Sequence, residues 1–240
     1  MRHYEISLLK RETIAEGTSA FYFEKPQGFS FKPGQFFEIT LLDPPETDTE
    51  GNTRAFSIAS APHEEMLMIA TRMRDTAFKR VLASLPLGNK IKMEGPFGSF
   101  TLHNDTAKPA VFLMGGIGIT PVRSIVMHAA HEKLPHQLFL FYSNRRPEDA
   151  VFLKELQNLT ARNPRYAFIG TMTAMENSKA PWEGERGYIS EAMLTRYVPR
   201  GLSPLYYSAG PQEMVAAMRK ILNDARVDDD FIRTEEFSGY

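Results

Sequence analysis

The 240-residue sequence contains no cysteine. That absence excludes disulfides, a cysteine nucleophile, thiolate zinc sites and cysteine-held iron–sulfur clusters from this chain. An excess of charge is also missing. Lys and Arg number 28 against 29 Asp and Glu, a formal net charge of -1, so no global field draws nucleic acid or an anionic membrane. No apolar run approaches the roughly 18–20 residues of a membrane span. The opening "MRHYEISLLKRE" alternates apolar and polar residues, lacks the apolar core and cleavage site of a signal peptide, and reads as a strand. These exclusions leave a cytoplasmic globular protein with enough chain for one large core or two smaller ones.

The first hundred residues are short strand-like runs: "HYEISLLKRE", "TSAFYFEK", "GQFFEITLL", "TRAFSIAS", "EMLMIATRM", "NKIKMEG" and "GSFTLH". Turn formers such as "PQG", "KPG" and "DPPETDTEGN" separate them. This rhythm predicts a small antiparallel barrel, interrupted by one helix over 77–84 with Thr76 as its N-cap. After "HNDTAKP" the pattern changes. "AVFLMG" is almost wholly apolar, as for a strand covered on both faces, and "TPVRSIVMHAAHEK" reads as a helix with Thr120 at N-cap and Pro121 at N1. Further strands "HQLFLFYS", "RYAFIGTM", "LYYSAG" and "DFIRTEEF" alternate with helices, which predicts an α/β unit with a five-stranded parallel sheet. The boundary falls near 103–109, giving domains over 1–106 and 107–240.

Three stretches carry candidate chemistry. In "LMGGIGITP", Gly116 and Gly118 fill a turn between strand and helix, where bare amides can take a pyrophosphate or simply make a turn. "YYSAGPQEM" repeats the layout with Ala209, Gly210 and Pro211, and two such openings at neighbouring strand ends would face a ligand crevice. In the barrel half, the amides of Thr76, Ala77 and Phe78 begin a helix, and Arg54 of "RAFSIAS" can supply a guanidinium to the same anion. That last stretch reads equally as a half-buried strand. No catalytic carboxylate pair and no metal site emerges: His128 and His131 share a helix face, with no third ligand evident.

In order and spacing, "FKPGQFFEI", "RAFSIAS", "GPFGSF", "LMGGIGITPVRSI", "WEGERGYIS", "YYSAGPQEM" and "EEF" resemble the motifs of ferredoxin-NADP reductase-type flavoproteins. The resemblance covers essentially the whole chain. It implies a six-stranded antiparallel barrel holding FAD and an NAD(P)-binding α/β domain, with NADH or NADPH as hydride donor. Arg54 would bind the flavin phosphates, Ala55 and Phe56 would lie along the flavin, and Ser57 would meet its N5. Ile69, Ala70 and Thr71 would contact the flavin through backbone, and Thr76, Ala77 and Phe78 would take its pyrophosphate. Gly116, Gly118, Thr120 and Pro121 would receive the nicotinamide dinucleotide, with Gly210, Pro211 and Met214 beside its nicotinamide half. Glu235 and Phe237 would sit near the flavin, Phe237 covering the ring and Tyr240 lying farther out, or the reverse.

The sequence departs from that pattern in three places. The motif tyrosine is Phe56 here, without a hydroxyl for the ribityl chain; the serine usual near the pyrophosphate helix is replaced, an ungapped count landing on Lys79; and the cysteine common beside the nicotinamide is Ala209. Without cysteine, the electron acceptor would be a separate ferredoxin, flavodoxin, oxygenase component or haem protein. Arg145 and Arg146 are the candidates for a 2′-phosphate, with a slight lean to NADH. A monomer is expected. The competing readings are a non-catalytic FAD- and nucleotide-binding relay subunit, and a reductase of free flavin or ferric chelates.

Overall fold

The computed structural model describes residues 3–237, organised by two six-stranded sheets. The first is antiparallel: β1 (His3–Ala15), β2 (Thr18–Phe23), β3 (Phe36–Leu41), β4 (Thr53–Ser57), β5 (Leu67–Arg72) and β6 (Lys90–Phe97), in the order β4-β3-β6-β1-β2-β5. Alternation decides what faces in. Phe37, Ile39 and Leu41 of β3 are buried while Phe36, Glu38 and Thr40 are half-exposed, as period-2 side chains require. Phe21 and Phe23 of β2 and Ile91 and Met93 of β6 join them in one core. Just beyond β4, the Ala59 N–H donates to the Met68 carbonyl of β5 at 2.8 Å, tying together the two ends of the strand order and rolling the sheet into a barrel.

α1 (Ala77–Ser84) plugs that barrel. Thr76 is extended and its side chain accepts from the Lys79 N–H, so the predicted cap and helix agree with the structure. Phe78, Val81 and Leu82 recur on one helix face and enter the barrel core.

The second sheet is parallel throughout: β7 (Ala110–Gly115), β8 (Leu138–Asn144), β9 (Tyr166–Met172), β10 (Glu185–Arg186), β11 (Leu205–Gly210) and β12 (Ile232–Glu236), in the order β10-β9-β8-β7-β11-β12. Alongside run α2 (Ile119–His131), α3 (Leu153–Asn158), α4 (Glu191–Tyr197) and α5 (Gln212–Asp224). The apolar β7 is covered on both faces: Ala110, Phe112 and Met114 enter one core, Val111 and Leu113 another. The five strands expected are all present. The sixth, β10, comes from the loop before α4, where the Thr171 hydroxyl donates to the Gly187 carbonyl at 2.6 Å and the Trp182 indole to the Glu185 carbonyl at 2.8 Å.

The start of α2 differs from the sequence reading, and that of α3 is set by one left-handed residue. Gly118 already has helical dihedrals, so α2 continues a 3-10 turn over Gly116–Gly118 and leaves no extended residue to cap it. Thr120 therefore lies inside the first turn, its hydroxyl donating to the Ile117 carbonyl at 3.0 Å. α3 starts at Leu153, because Phe152 takes a left-handed φ of 58° and packs toward the barrel, against the cluster of Ala20, Ala59 and Met68.

Candidate functional site

β7 lies between β8 and β11, so the chain winds outward in one direction through β8 and in the other through β12. This reversal makes a crevice at the carboxyl ends of β7 and β11, where open parallel sheets take ligands. Glycine ends both strands. Gly116 has φ +50° and Gly210 φ +154°, conformations that disfavour a side chain. A Cβ on Gly118 would overlap the Ala209 carbonyl and the Gly210 nitrogen; one on Gly115 would overlap the Met214 sulfur. The two turns are thus packed against each other. Gly118 is required by that packing alone, and Gly115 is a glycine that motif spacing did not single out. Pro211, at ψ 141°, begins α5 without a side-chain cap. Thr120 and Pro121 are buried in the start of α2.

The barrel supplies the facing wall. Arg54 and Phe56 share one face of β4, Ala55 points to the other and is exposed, and Ser57 is buried opposite Phe36. The Arg54 guanidinium lies 5.2 Å from the centre of the Phe78 ring, and Phe56 and Phe78 stand 5.8 Å apart. Burial, then Arg74, then Arg54 push the Lys79 ammonium below its ordinary range, so three cations crowd the α1 N-terminus. No acidic residue occupies its first turn, and the Ala77 and Phe78 amides have no acceptor within the helix. Arg54 is already held, however, by Asp48 Oδ1 at 3.0 Å and Glu50 Oε2 at 3.0 Å, and by the carbonyls of Glu50, Gly51 and Thr53. β5 ends the strand order, so alternate backbone groups over Ile69, Ala70 and Thr71 face away from β2; the strand lies against the Gly116–Gly118 turn.

A charged clamp joins the halves. Arg123 of α2 is 5 % exposed, donates to both oxygens of Glu64 and of Glu155 and to the Ala59 carbonyl at 2.8 Å, and lies 5.0 Å from the Phe152 ring centre. Next to it the Ser124 hydroxyl donates to the Ser60 carbonyl at 2.7 Å. Burial alone would push the Glu64 carboxyl up; the Arg123 hydrogen bonds outweigh it and hold the group below its ordinary value. Sequence reasoning missed this cluster. Three charges 59 and 32 residues apart carry no local signal.

Opposite Ala209 in the β11–β12 register stands Glu235. Its Oε2 is buried with no partner, and burial pushes its pKa to about 7. Phe237 packs against the core of the second sheet and its N–H donates to the Gly210 carbonyl at 3.3 Å. Tyr240 lies outside the described residues. Arg145 is exposed just past β8, whereas its neighbour Arg146 is bound to Asp149 and Glu16.

Residues 112–220 match the oxidoreductase NAD-binding domain. The chain is 30% identical over 230 residues to the glycine betaine monooxygenase reductase subunit of Chromohalobacter salexigens, covering 95% of this chain and 61% of that protein. It superposes on a ferredoxin NADP+ reductase from Neisseria gonorrhoeae with bound FAD and NADP at a TM-score of 0.79 and 20% identity, covering 98% of this chain and 99% of the other. The chain has the fold of a ferredoxin NADP+ reductase.

The chain is also similar to the propane 2-monooxygenase reductase component of Mycolicibacterium smegmatis, 27% identical over 89% of this chain and 61% of that protein. A cytochrome P450 reductase of Amycolatopsis shares the fold at a TM-score of 0.81 and 21% identity, over 98% of this chain and 70% of its own. The chain thus spans about three-fifths of the length of these curated relatives. Among the described residues no helix is long and apolar enough to cross a membrane, and no group of three His, Asp or Glu is placed to hold a metal ion.

Proposed function

We propose that this chain is an FAD-dependent NAD(P)H oxidoreductase that delivers electrons to a carrier or oxygenase component outside its own 240 residues. The observation that carries the reading is the α1 N-terminus, with free amides, three cations beside it and no acid in its first turn, in a wall that abuts the glycine turns of the parallel sheet. A diphosphate-bearing flavin fits that donor set. FAD, when bound, supplies hydride acceptance and single-electron release.

The chain's residues would bind and orient. Thr76, Ala77 and Phe78 with Arg54 would hold the flavin diphosphate, which competes with Asp48 and Glu50 for the guanidinium fork. Phe56 would offer its ring face, Ala55 and Ser57 would line the same strand, and the outward backbone of Ile69, Ala70 and Thr71 would supply donors and acceptors. Gly116, Gly118, Thr120 and Pro121 would present backbone to the nicotinamide dinucleotide, since the Thr120 hydroxyl is already engaged. Gly210, Pro211 and Met214 would bound the nicotinamide end, and Arg145 would meet a 2′-phosphate. Glu235, poised near neutrality, would hold or release a proton there, and Phe237 would cover the ring and exclude water. Two domains, over 1–106 and 107–240, would divide these tasks.

Anaerobic titration of the purified protein with NADH and then NADPH tests the reading. Bleaching of a bound flavin is the expected result, with electrons passing on to ferredoxin-like acceptors. A protein that holds flavin but is bleached by neither nucleotide overturns it in favour of a non-catalytic relay subunit. Arg54→Ala is expected to lower FAD occupancy while the circular dichroism spectrum stays unchanged.

A further inference from the structure

Away from the glycine turns, at the opening of β12 instead of its end, a cavity of about 420 Å³ lies between the linker after β6, the later part of α2 and the β2–β3 loop. Its charged lining is of one sign. Lys32 reaches it from the barrel and Arg233 from β12, with His128 and His136 beside them, and no Asp or Glu lines it. Ile125 and Leu134 supply an apolar portion.

The guanidinium is fixed in place. Arg233 Nη1 donates to the Thr101 carbonyl at 2.8 Å and the Tyr207 hydroxyl at 3.3 Å, and the group lies 5.4 Å from the Tyr207 ring centre. Among the described residues no carboxylate partners Arg233 or Lys32. Tyr207 accepts also from the His103 N–H at 3.0 Å, so its own proton goes to His103 Nδ1 at 2.9 Å, and His103 Nε2 donates to the Lys108 carbonyl. His103 is therefore a neutral, spent wall. His136 is buried and donates through Nε2 to the His103 carbonyl at 2.9 Å, while its Nδ1 has no partner. His128 Nδ1 is likewise buried and unpartnered, which leaves Nε2 as the ring nitrogen available to the cavity.

A half-buried arginine ordinarily meets a carboxylate, because desolvating an unpaired charge is costly. Here a cation from the β2–β3 loop and one from β12 line a cavity where the protein supplies no carboxylate. Arginine's free Nε and Nη2 edge offers a fork for an oxyanion, and lysine adds a point charge. We propose that this cavity binds a small oxyanion of the phosphate or carboxylate class between Arg233 and Lys32, separate from the dinucleotide cleft.

Isothermal titration of the full chain, saturated with FAD and NAD+ so that other phosphate sites are filled, tests the proposal with inorganic phosphate and, separately, succinate. Saturable one-to-one binding of at least one is expected, and the tighter of the two identifies the class. Lys32→Gln, at an exposed position, should weaken it at least tenfold, and Arg233→Gln should abolish it. No saturable heat from either anion up to ~10 mM, or unchanged affinity in Lys32→Gln, overturns the proposal. The readout is heat of binding, so it stands apart from whether the chain transfers electrons.

Discussion

Arg123 of α2 and Glu64 of the loop before β5 hold the two sheets together through a two-pronged contact, Nη1 to Oε2 at 2.9 Å and Nη2 to Oε1 at 3.0 Å. Glu155 completes the arrangement from α3. Arg123→Ala leaves two part-exposed carboxylates facing each other without their shared cation. Breaking a fully buried pair costs about 3–5 kcal/mol; because water reaches these carboxylates the loss should lie below that range, and the urea midpoint should fall. Arg123→Lys should restore little, because an ammonium cannot serve both carboxylates as a fork does.

The paired glycine turns give an ordered prediction. At Gly118 an added methyl meets backbone of Ala209 and Gly210, which cannot move without opening β11; at Gly115 it meets the flexible Met214 thioether. Overpacking costs typically 1–3 kcal/mol. Gly118→Ala should reach or exceed about 3 kcal/mol and Gly115→Ala about 1 kcal/mol, compared by urea denaturation of both variants.

Glu235 gives a pH signature. Its pKa rises from 4.5 to about 7 on folding, so the folded protein binds this proton more tightly than the unfolded chain. The stabilisation is complete below pH 4.5 and is lost as pH rises through about 7. Glu235→Gln should remove that slope and add ~3 kcal/mol above the window. Urea curves for both proteins at each end of the window check it.

Arg145 is exposed, while Arg146 is committed to Asp149 and Glu16. Arg145→Ala should raise the KM for NADPH about tenfold, the worth of one charge-assisted contact, and leave that for NADH unchanged. Equal effects on both nucleotides would remove Arg145 from 2′-phosphate recognition.

Local patterns were legible in the sequence. The cap at Thr76, the alternation of β3 and the apolar run of β7 depend on residues within a few positions of one another, and all appear in the structure. The glycine turns were legible as turns, though the close approach of Gly118 to Ala209 needs β7 and β11 side by side, which spacing does not state. What could not be read was long-range. The Arg123 clamp and the packing of the left-handed Phe152 join the parallel domain to the barrel, and the burial of the Glu235 carboxyl beside β11 likewise has no signal in its neighbouring residues. Arg54 was read as a phosphate ligand, yet Asp48 and Glu50 already hold it, because the loop before β4 folds back over its own strand.

α2 begins at the glycine turn and carries Arg123 five residues past Gly118. At 1.5 Å per residue, that interval is a rigid length of about 7 Å. A helix therefore acts as the gauge block between the barrel and the nucleotide-facing turn, where a loop would have left the spacing adjustable. Adding or deleting a single residue within it would swing Arg123 by roughly 100° around the axis, and the two halves would lose their common register before either lost its own core.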